Sequence, residues 1–397
     1  MRSLPEVPLS PCPEAYARPL AQGFDTVQEA FALCPTASFV SLLEETQAEA
    51  REASDNLDGT VEVDLFGHRF KAHATGARGG FRWRLESDDV LVMIGSPKRE
   101  WTVSVRYLSA GLWEHGLEAL RKRTLEALRP YTQQRDDDFI RTSRFDYCFD
   151  FYSPAFTREF TPGLSRAVVC HSSAKAQEVG RYDLWTRGGQ GETLTIGSKA
   201  GLQVQVYDKT LEIDEASGKT WLHDIWLKAL DGEWVFGDTP RPRDVWRLEC
   251  RFSGDFLKER NLRRPEQVDK ALPELIAEAI YTRRLGVPNE SDDNRWRWPM
   301  HPLWSEAARR KAAGTMRPMG RKVTGRRSEL VERSEICIGG TLASALALKH
   351  GDYNDDDFEA LAFKFMERAR AHVQADPKRA RKKAAALSRY MREDEAR

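Results

Sequence analysis

From residue 60 onward the chain keeps returning to one pattern, an alternation of apolar and polar residues with a period of two. Successive side chains on a strand point to opposite faces, so each such stretch is a strand with one face for a core and one for something else. Val61, Val63 and Leu65 alternate with Glu62, Asp64 and Phe66, and 81–85, 90–94 and 101–107 read as further strands between Gly and Asp turns. The stretches 143–152, 181–185, 192–196, 202–207 and 244–252 continue the series. Helical spacing interrupts it at 38–54, 112–128, 154–168 and 265–284, where Pro273 predicts a kink or a split. Groups of strands joined by tight turns, with helices between the groups, specify an α+β fold: a central, mainly antiparallel sheet flanked by helices.

Around this centre, residues 1–36 are Pro-rich and read as an irregular N-terminal segment, 37–290 as the main domain, and 291–397 as a helical, basic C-terminal region. The blocks 60–130 and 180–285 share an order of strands followed by a helix, which suggests a diverged duplication without a residue-level repeat. Lys plus Arg number 61 and Asp plus Glu also 61, so net charge gives no sign of nucleic acid and any such signal must be local. It is local at Arg309-Arg310-Lys311, at 317–327 and in the tail 376–397. Such runs are usually solvated helix faces; their excess of base makes phosphate contact an equal alternative. The six cysteines (Cys12, Cys34, Cys148, Cys170, Cys250 and Cys337) form no CxxC and no zinc-finger spacing, and are expected as reduced thiols. No apolar run approaches the roughly 18 residues of a membrane span, and the N-terminus lacks a secretory pattern. The expected location is the cytoplasm, with no membrane partner.

Splitting three strands by face isolates a chemical inventory. In 143–152, Phe145, Tyr147, Phe149 and Phe151 fall on one face, and Arg144, Asp146, Cys148 and Asp150 on the other. In 202–209, Leu202, Val204 and Val206 oppose Gln203, Gln205, Tyr207 and Lys209. In 244–252, Trp246, Leu248, Cys250 and Phe252 oppose Arg247, Glu249 and Arg251. Polar residues on a strand are ordinarily the wet face of a half-buried sheet. Asp and Glu, however, are poor strand formers, and three such faces in one sheet would merge into a surface of carboxylates, cations and a tyrosine hydroxyl. That set suits phosphodiester transesterification. A tyrosine hydroxyl can attack phosphorus and form a covalent link, Asp and Glu supply hard oxygens to Mg²⁺ or Mn²⁺, and Arg and Lys hold phosphates. Lys209 would favour the Tyr207 phenolate.

In order along the chain, Thr142-Ser-Arg-Phe-Asp146-Tyr-Cys-Phe-Asp150, Thr193-Leu-Thr-Ile-Gly197-Ser198-Lys199, Val204-Gln-Val-Tyr207-Asp208-Lys209 and Trp246-Arg247-Leu-Glu249-Cys-Arg251 resemble the motifs of a known family. It comprises the replication initiation factors of rolling-circle plasmids and filamentous phages, with relaxases of some conjugative elements. The resemblance covers about 60–285, roughly half the chain. It implies a distant relative of the HUH nucleases, with the site on the central sheet, but the eight histidines are scattered and form no His-hydrophobic-His triplet. Carried over residue by residue, it implies Tyr207 as nucleophile aided by Lys209, and Asp146 and Glu249, with Asp150 as a weaker third, as ligands for Mg²⁺ or Mn²⁺. Arg144, Gln205, Arg247 and Arg251 would contact DNA.

The implied activity is site-specific nicking and rejoining through a 5′-phosphotyrosine at a replication origin, on single-stranded or hairpin DNA, with a host helicase and a second copy as further partners. Alternatives stay open: a conjugative relaxase with the same chemistry, a metal-dependent nuclease using water, a catalytically silent origin-binding regulator, and Tyr182 in place of Tyr207. Gly197-Ser198 reads first as a hairpin turn and second as a phosphate contact. Trp296, Trp298 and Trp304 read first as core and second as a base-stacking platform.

Overall fold

A single antiparallel sheet of eleven strands carries the alternation read from the sequence. The computed structural model describes residues 7–13, 16–53, 59–65, 67–134, 139–170, 182–187, 190–239, 241–310, 358–375 and 377. The chain divides into two compact units, Met1–Thr210 with Ile225–Arg321, and Leu211–Asp224 with Lys322–Arg397. The sheet belongs to the first.

Its strands are β1 (Arg18–Phe31), β2 (Thr60–Leu65), β3 (His68–His73), β4 (Phe81–Glu86), β5 (Val90–Gly95), β6 (Val103–Leu108), β7 (Ile140–Tyr152), β8 (Tyr182–Arg187), β9 (Gln190–Gly197), β10 (Leu202–Asp208) and β11 (Val245–Ser253). Across the sheet they run β8-β9-β10-β11-β7-β1-β6-β5-β4-β3-β2. β1 and β7 lie side by side at its centre. Each begins a half of the same design: a long strand, a helix, then strands that end beside the long one. β6 returns to β1 and β11 returns to β7.

The expectation that residues 1–36 are irregular is corrected by β1, the longest strand of the sheet. Its pairing with β7 shifts register between Pro19 and Ala21, between Phe24 and Thr26, and between Gln28 and Glu29. The first two leave Leu20 and Asp25 as extra residues on β1 and change which face the following residues occupy, so the period of two is lost over the first part of the strand; the third leaves Ser143 as the extra residue on β7.

The apolar faces named above do form the core. Phe145 stacks on Phe252 with ring centroids 4.4 Å apart, and Leu248, Cys250, Val204 and Val206 are fully buried beside them. Helices α4 (Pro154–Glu159), α7 (Gly254–Glu259) and α8 (Pro265–Thr282) cover this side. Phe156 of α4 packs edge-on against Trp246, and Phe256 of α7 against Phe252. In the other half, α1 (Ala37–Glu52) packs on β2 and β3 and buries Phe39 and Leu43.

The helix expected over 112–128 is two, α2 (Ser109–His115) and α3 (Leu117–Leu128), broken at Gly116, whose φ of 81° leaves the helical region. That expected over 154–168 is α4 followed by a 3₁₀ segment (Pro162–Ala167) and a short strand (Val168–Cys170). α8 runs unbroken through Pro273, which sits on its exposed side, where the missing N–H costs least.

Within the expected C-terminal helical region, a 3₁₀ turn (Arg295–Arg297), α9 (Pro302–Arg310) and α10 (Phe358–Ala375) are present. Lys311, the basic run 317–327, Cys337 and nearly all of the tail 376–397 lie outside the described residues. In the second unit, Ile213–Ser217 closes at a left-handed Gly218, and α10 exposes Phe363 and Met366. Among the described residues, no helix is long and apolar enough to cross a membrane, and the five cysteines are free thiols.

Candidate active site

The polar faces of β10, β11 and β7 merge as the alternation requires. Gln205 lies opposite Glu249 and Tyr207 opposite Arg247; Arg251 lies opposite Asp146. The Tyr207 hydroxyl donates to Glu249 Oε2 at 2.9 Å, and Arg251 Nε donates to Glu249 Oε1 at 2.8 Å. Arg144 grips Asp146 with two bonds, Nε to Oδ1 at 2.9 Å and Nη2 to Oδ2 at 2.5 Å. Both carboxylates are 2% exposed. The Arg144 and Arg251 side chains are 35% and 30% exposed, so two buried acids sit beneath a rim of reachable guanidiniums. Gln205 donates to Thr195 on β9, which extends the surface outward.

Burial, reinforced by the nearby Glu249 charge, pushes the Asp146 carboxyl up to about 6 against the pull of Arg144. Burial also works against the charge of Arg251, but the Glu249 carboxylate overcomes it and holds the guanidinium protonated beyond its usual range. Asp146 and Glu249 supply hard oxygens of the kind Mg²⁺ or Mn²⁺ takes, but Arg144 holds both Asp146 oxygens and Arg251 and Tyr207 hold those of Glu249, so a cation would have to share or displace these contacts. Mg²⁺ commonly takes only one or two protein carboxylates and leaves its remaining positions to water and phosphate. Among the described residues, no trio of metal-ligating side chains at ligand spacing includes Asp146 or Glu249; the one such trio, Asp89, Glu114 and His115, lies elsewhere, with Arg123 also on Asp89.

Two expected site residues have a different role. Arg247 was expected on DNA and Asp150 on a metal, yet both side chains are 0% exposed. Arg247 Nε and Nη2 hold the two Asp150 oxygens at 2.6 and 2.8 Å, and Trp226 Nε1 donates to Asp150 Oδ2 at 3.0 Å. Arg247 Nη1 reaches Asp25 at 2.6 Å. Burial opposes the Arg247 charge, and Asp150 more than restores it. This is an ion cluster at the edge of the site in which Arg247 and Asp150 are fully buried and Asp25 is partly exposed. Its third member, Asp25, was not anticipated, because the register shift between Phe24 and Thr26 turns it to this face.

Lys209 was expected on the strand face two residues beyond Tyr207. β10 ends at Asp208, and Lys209 starts a helical turn, α5 (Lys209–Glu212). Its buried Nζ still lies 5.6 Å from the Tyr207 ring centroid. Tyr182 pairs with Ile196, on the face opposite Tyr207, and so lies away from Asp146 and Glu249. Gly197, with φ 98°, closes a hairpin in which Ser198 N–H bonds the Leu202 carbonyl. Trp304 is core, with Nε1 on the Arg283 carbonyl, while Trp296 and Trp298 are half-buried.

No family model matches the chain, and no curated protein does. Among solved structures, one described as a rolling circle replication initiator protein from Geobacillus stearothermophilus is similar, with 14% identity and a TM-score of 0.40 over 76% of this chain and 99% of that one. At such distance the chemistry has to be argued from the side chains themselves.

Proposed function

We propose that the chain nicks and rejoins one strand of DNA through Tyr207 and so starts rolling-circle replication of a mobile element. The observation that carries this reading is the hydrogen bond from the Tyr207 hydroxyl to the buried Glu249, with Asp146 on the next strand and two guanidiniums at the rim. A tyrosine ordinarily ionises near 10, so it needs a proton acceptor, and Glu249 Oε2 is in place to be one. The phenolate oxygen then attacks phosphorus in line. The bond from phosphorus to the 3′ oxygen breaks, and that oxygen takes a proton to become a 3′-hydroxyl. The 5′-phosphate stays on Tyr207, and attack by a 3′-hydroxyl reverses the step and reseals the strand. Arg144 and Arg251 hold the non-bridging oxygens, and the Lys209 ammonium favours the phenolate. A divalent cation on Asp146 and Glu249 would polarise the phosphate and offset its developing charge.

The test uses supercoiled plasmid carrying the element's origin, wild-type protein and Tyr207→Phe, with Mg²⁺ or EDTA. Metal-dependent open circles, with protein covalently on 5′ ends only in the wild type, are expected. Nicking by Tyr207→Phe without an adduct would point to water as nucleophile. Folded wild type that neither cuts nor attaches would leave a silent origin-binding regulator. A conjugative relaxase shares the chemistry and differs in the DNA it is given.

A further inference from the structure

The strand registers relate the two halves of the sheet by an approximate two-fold axis, which assigns partners to Arg144, Asp146, Tyr207, Glu249 and Arg251. Leu108 ends β6 opposite Thr26, and Ser253 ends β11 opposite Arg144. Making Leu108 equivalent to Ser253 therefore makes Thr26 equivalent to Arg144 and Gln28 equivalent to Asp146. The central pairing obeys this exchange: Thr26 faces Asp146, Gln28 faces Arg144, and Val27 and Phe145 face each other between them. The same exchange puts Ser104 at the place of Glu249, Arg106 at that of Arg251, and Gly95, bonded to the Thr102 carbonyl, at that of Tyr207.

The second half has thus no tyrosine and no acid at the matching positions, and keeps one of the two rim cations, Arg106, with Thr26 in place of Arg144. Gln28 Oε1 accepts from Arg106 Nε at 3.3 Å and Nη2 at 3.1 Å, and Gln28 Nε2 donates to Ser104 at 2.9 Å. Arg251 has a carboxylate for its partner; Arg106 has a neutral amide. Further along the same face, Arg84 on β4 lies opposite Met93, which lies opposite Ser104. Its Nη2 holds Glu86 at 2.7 Å, while its Nε is buried with no hydrogen-bond partner. Arg106 feels both Arg144 and Arg84: after burial, their repulsion is what lowers its hold on its proton, partly offset by Asp146. Three cations gathered on one face, one paired only with an amide and one with an unsatisfied donor, make a surface complementary to an anion.

We propose that this silent half binds the phosphodiester backbone of the strand being cut, with Arg106 and Arg84 as phosphate contacts and Arg144 linking them to the reacting centre. The proposal rests on the nicking reading only for the identity of the anion as DNA. Replacing two acids by Gln28 and Ser104 removes repulsion towards phosphate and leaves hydrogen-bond donors. β7, β6 and β4 are each two strands apart, about 10 Å at the usual strand spacing, so the contacts lie along a path crossing the sheet.

The experiment is binding of a labelled single-stranded oligonucleotide to the full chain in EDTA, where nothing is cut, over a range of salt. The double variant Arg84→Gln/Arg106→Gln is expected to bind about tenfold more weakly at low salt, with the slope of log K against log salt shallower by about 1.4, two phosphate contacts' worth. Arg84→Lys/Arg106→Lys keeps the charge and is expected to keep the slope. An unchanged slope in folded Gln variant, or a Lys variant that falls as far as the Gln one, overturns the proposal. If the double Gln variant does not fold, Arg106→Gln against Arg106→Lys gives the same comparison for one contact. Wild type that forms the covalent adduct while the slopes stay equal refutes the track alone. Slopes that shift as expected while no adduct ever forms refute the Tyr207 reading alone.

Discussion

Asp146 sits in surroundings that oppose its own charge. Its carboxyl, pushed up to about 6 by burial and by Glu249, stands above the 3.8 of a solvated aspartate. A group whose folded value is raised contributes its stability below the unfolded value and loses it as pH climbs through the folded one. Asp146 therefore weakens the metal-free protein at neutral pH by up to about 3 kcal/mol, and Asp146→Asn should relieve that cost. The expected outcome is a variant more stable than wild type in EDTA at pH 7, the gap closing towards pH 4, read from denaturant midpoints; a gap independent of pH would refute it. The same substitution should abolish the covalent adduct, as a site built for reaction against local stability demands. Glu249→Gln removes the acceptor for the Tyr207 proton, and adduct formation should slow by about 10²–10⁴-fold, the usual contribution of a positioned base. A loss of less than tenfold would move the base elsewhere.

Strands explain which of these residues could be read in advance. β10, β11 and, from Arg144 onward, β7 alternate without a break, so the face lists for Asp146, Tyr207, Glu249 and their guanidiniums were legible, and so was the core of Phe145, Leu248 and Val206. β1 was not, because extra residues at Leu20 and Asp25 interrupt its period, and with it went Asp25 and Gln28. Lys209 was misplaced because alternation does not announce where a strand ends. Arg247 and Asp150 were assigned by strand face and by the family resemblance, and neither tells a reachable rim from a buried pair. Their pairing ties β11 to β7 and, through Asp25, to β1. Arg247→Met should leave the fully buried Asp150 carboxylate without its cation, holding only the Trp226 N–H, and destabilise by about 3–5 kcal/mol. Adding Asp150→Leu should recover part of that, since a charge without a partner costs more than an apolar pair. Chemical denaturation of the single and double variants measures both, and a double variant weaker than the single would overturn the argument.

At the level of the sheet-bearing unit, the reacting half and the silent half are not separate bodies, because β1 and β7 join them along most of their length. Val27 and Phe145, the pair on the two-fold axis, are each 1% exposed. Phe145 also stacks on Phe252 of β11 and meets Phe24 of β1, so it belongs to both cores at once. A shared core of this kind predicts that the two halves lose structure together, although each repeats a complete strand order of its own. Phe145→Ala opens a cavity at the join and should cost about 3–5 kcal/mol. Native-state hydrogen exchange then separates two architectures. In a cooperative unit, the most protected amides of β6 and β11 drop by the same free energy in the variant, because both exchange through one global opening. In a pair of independently stable halves, the β11 amides drop and those of β6 keep their protection, and the two-fold would then record an ancestry without a mechanical consequence. The first outcome is expected. It would mean that Arg84 and Arg106 are held at a fixed distance from Tyr207 by the same packing that holds Tyr207 itself.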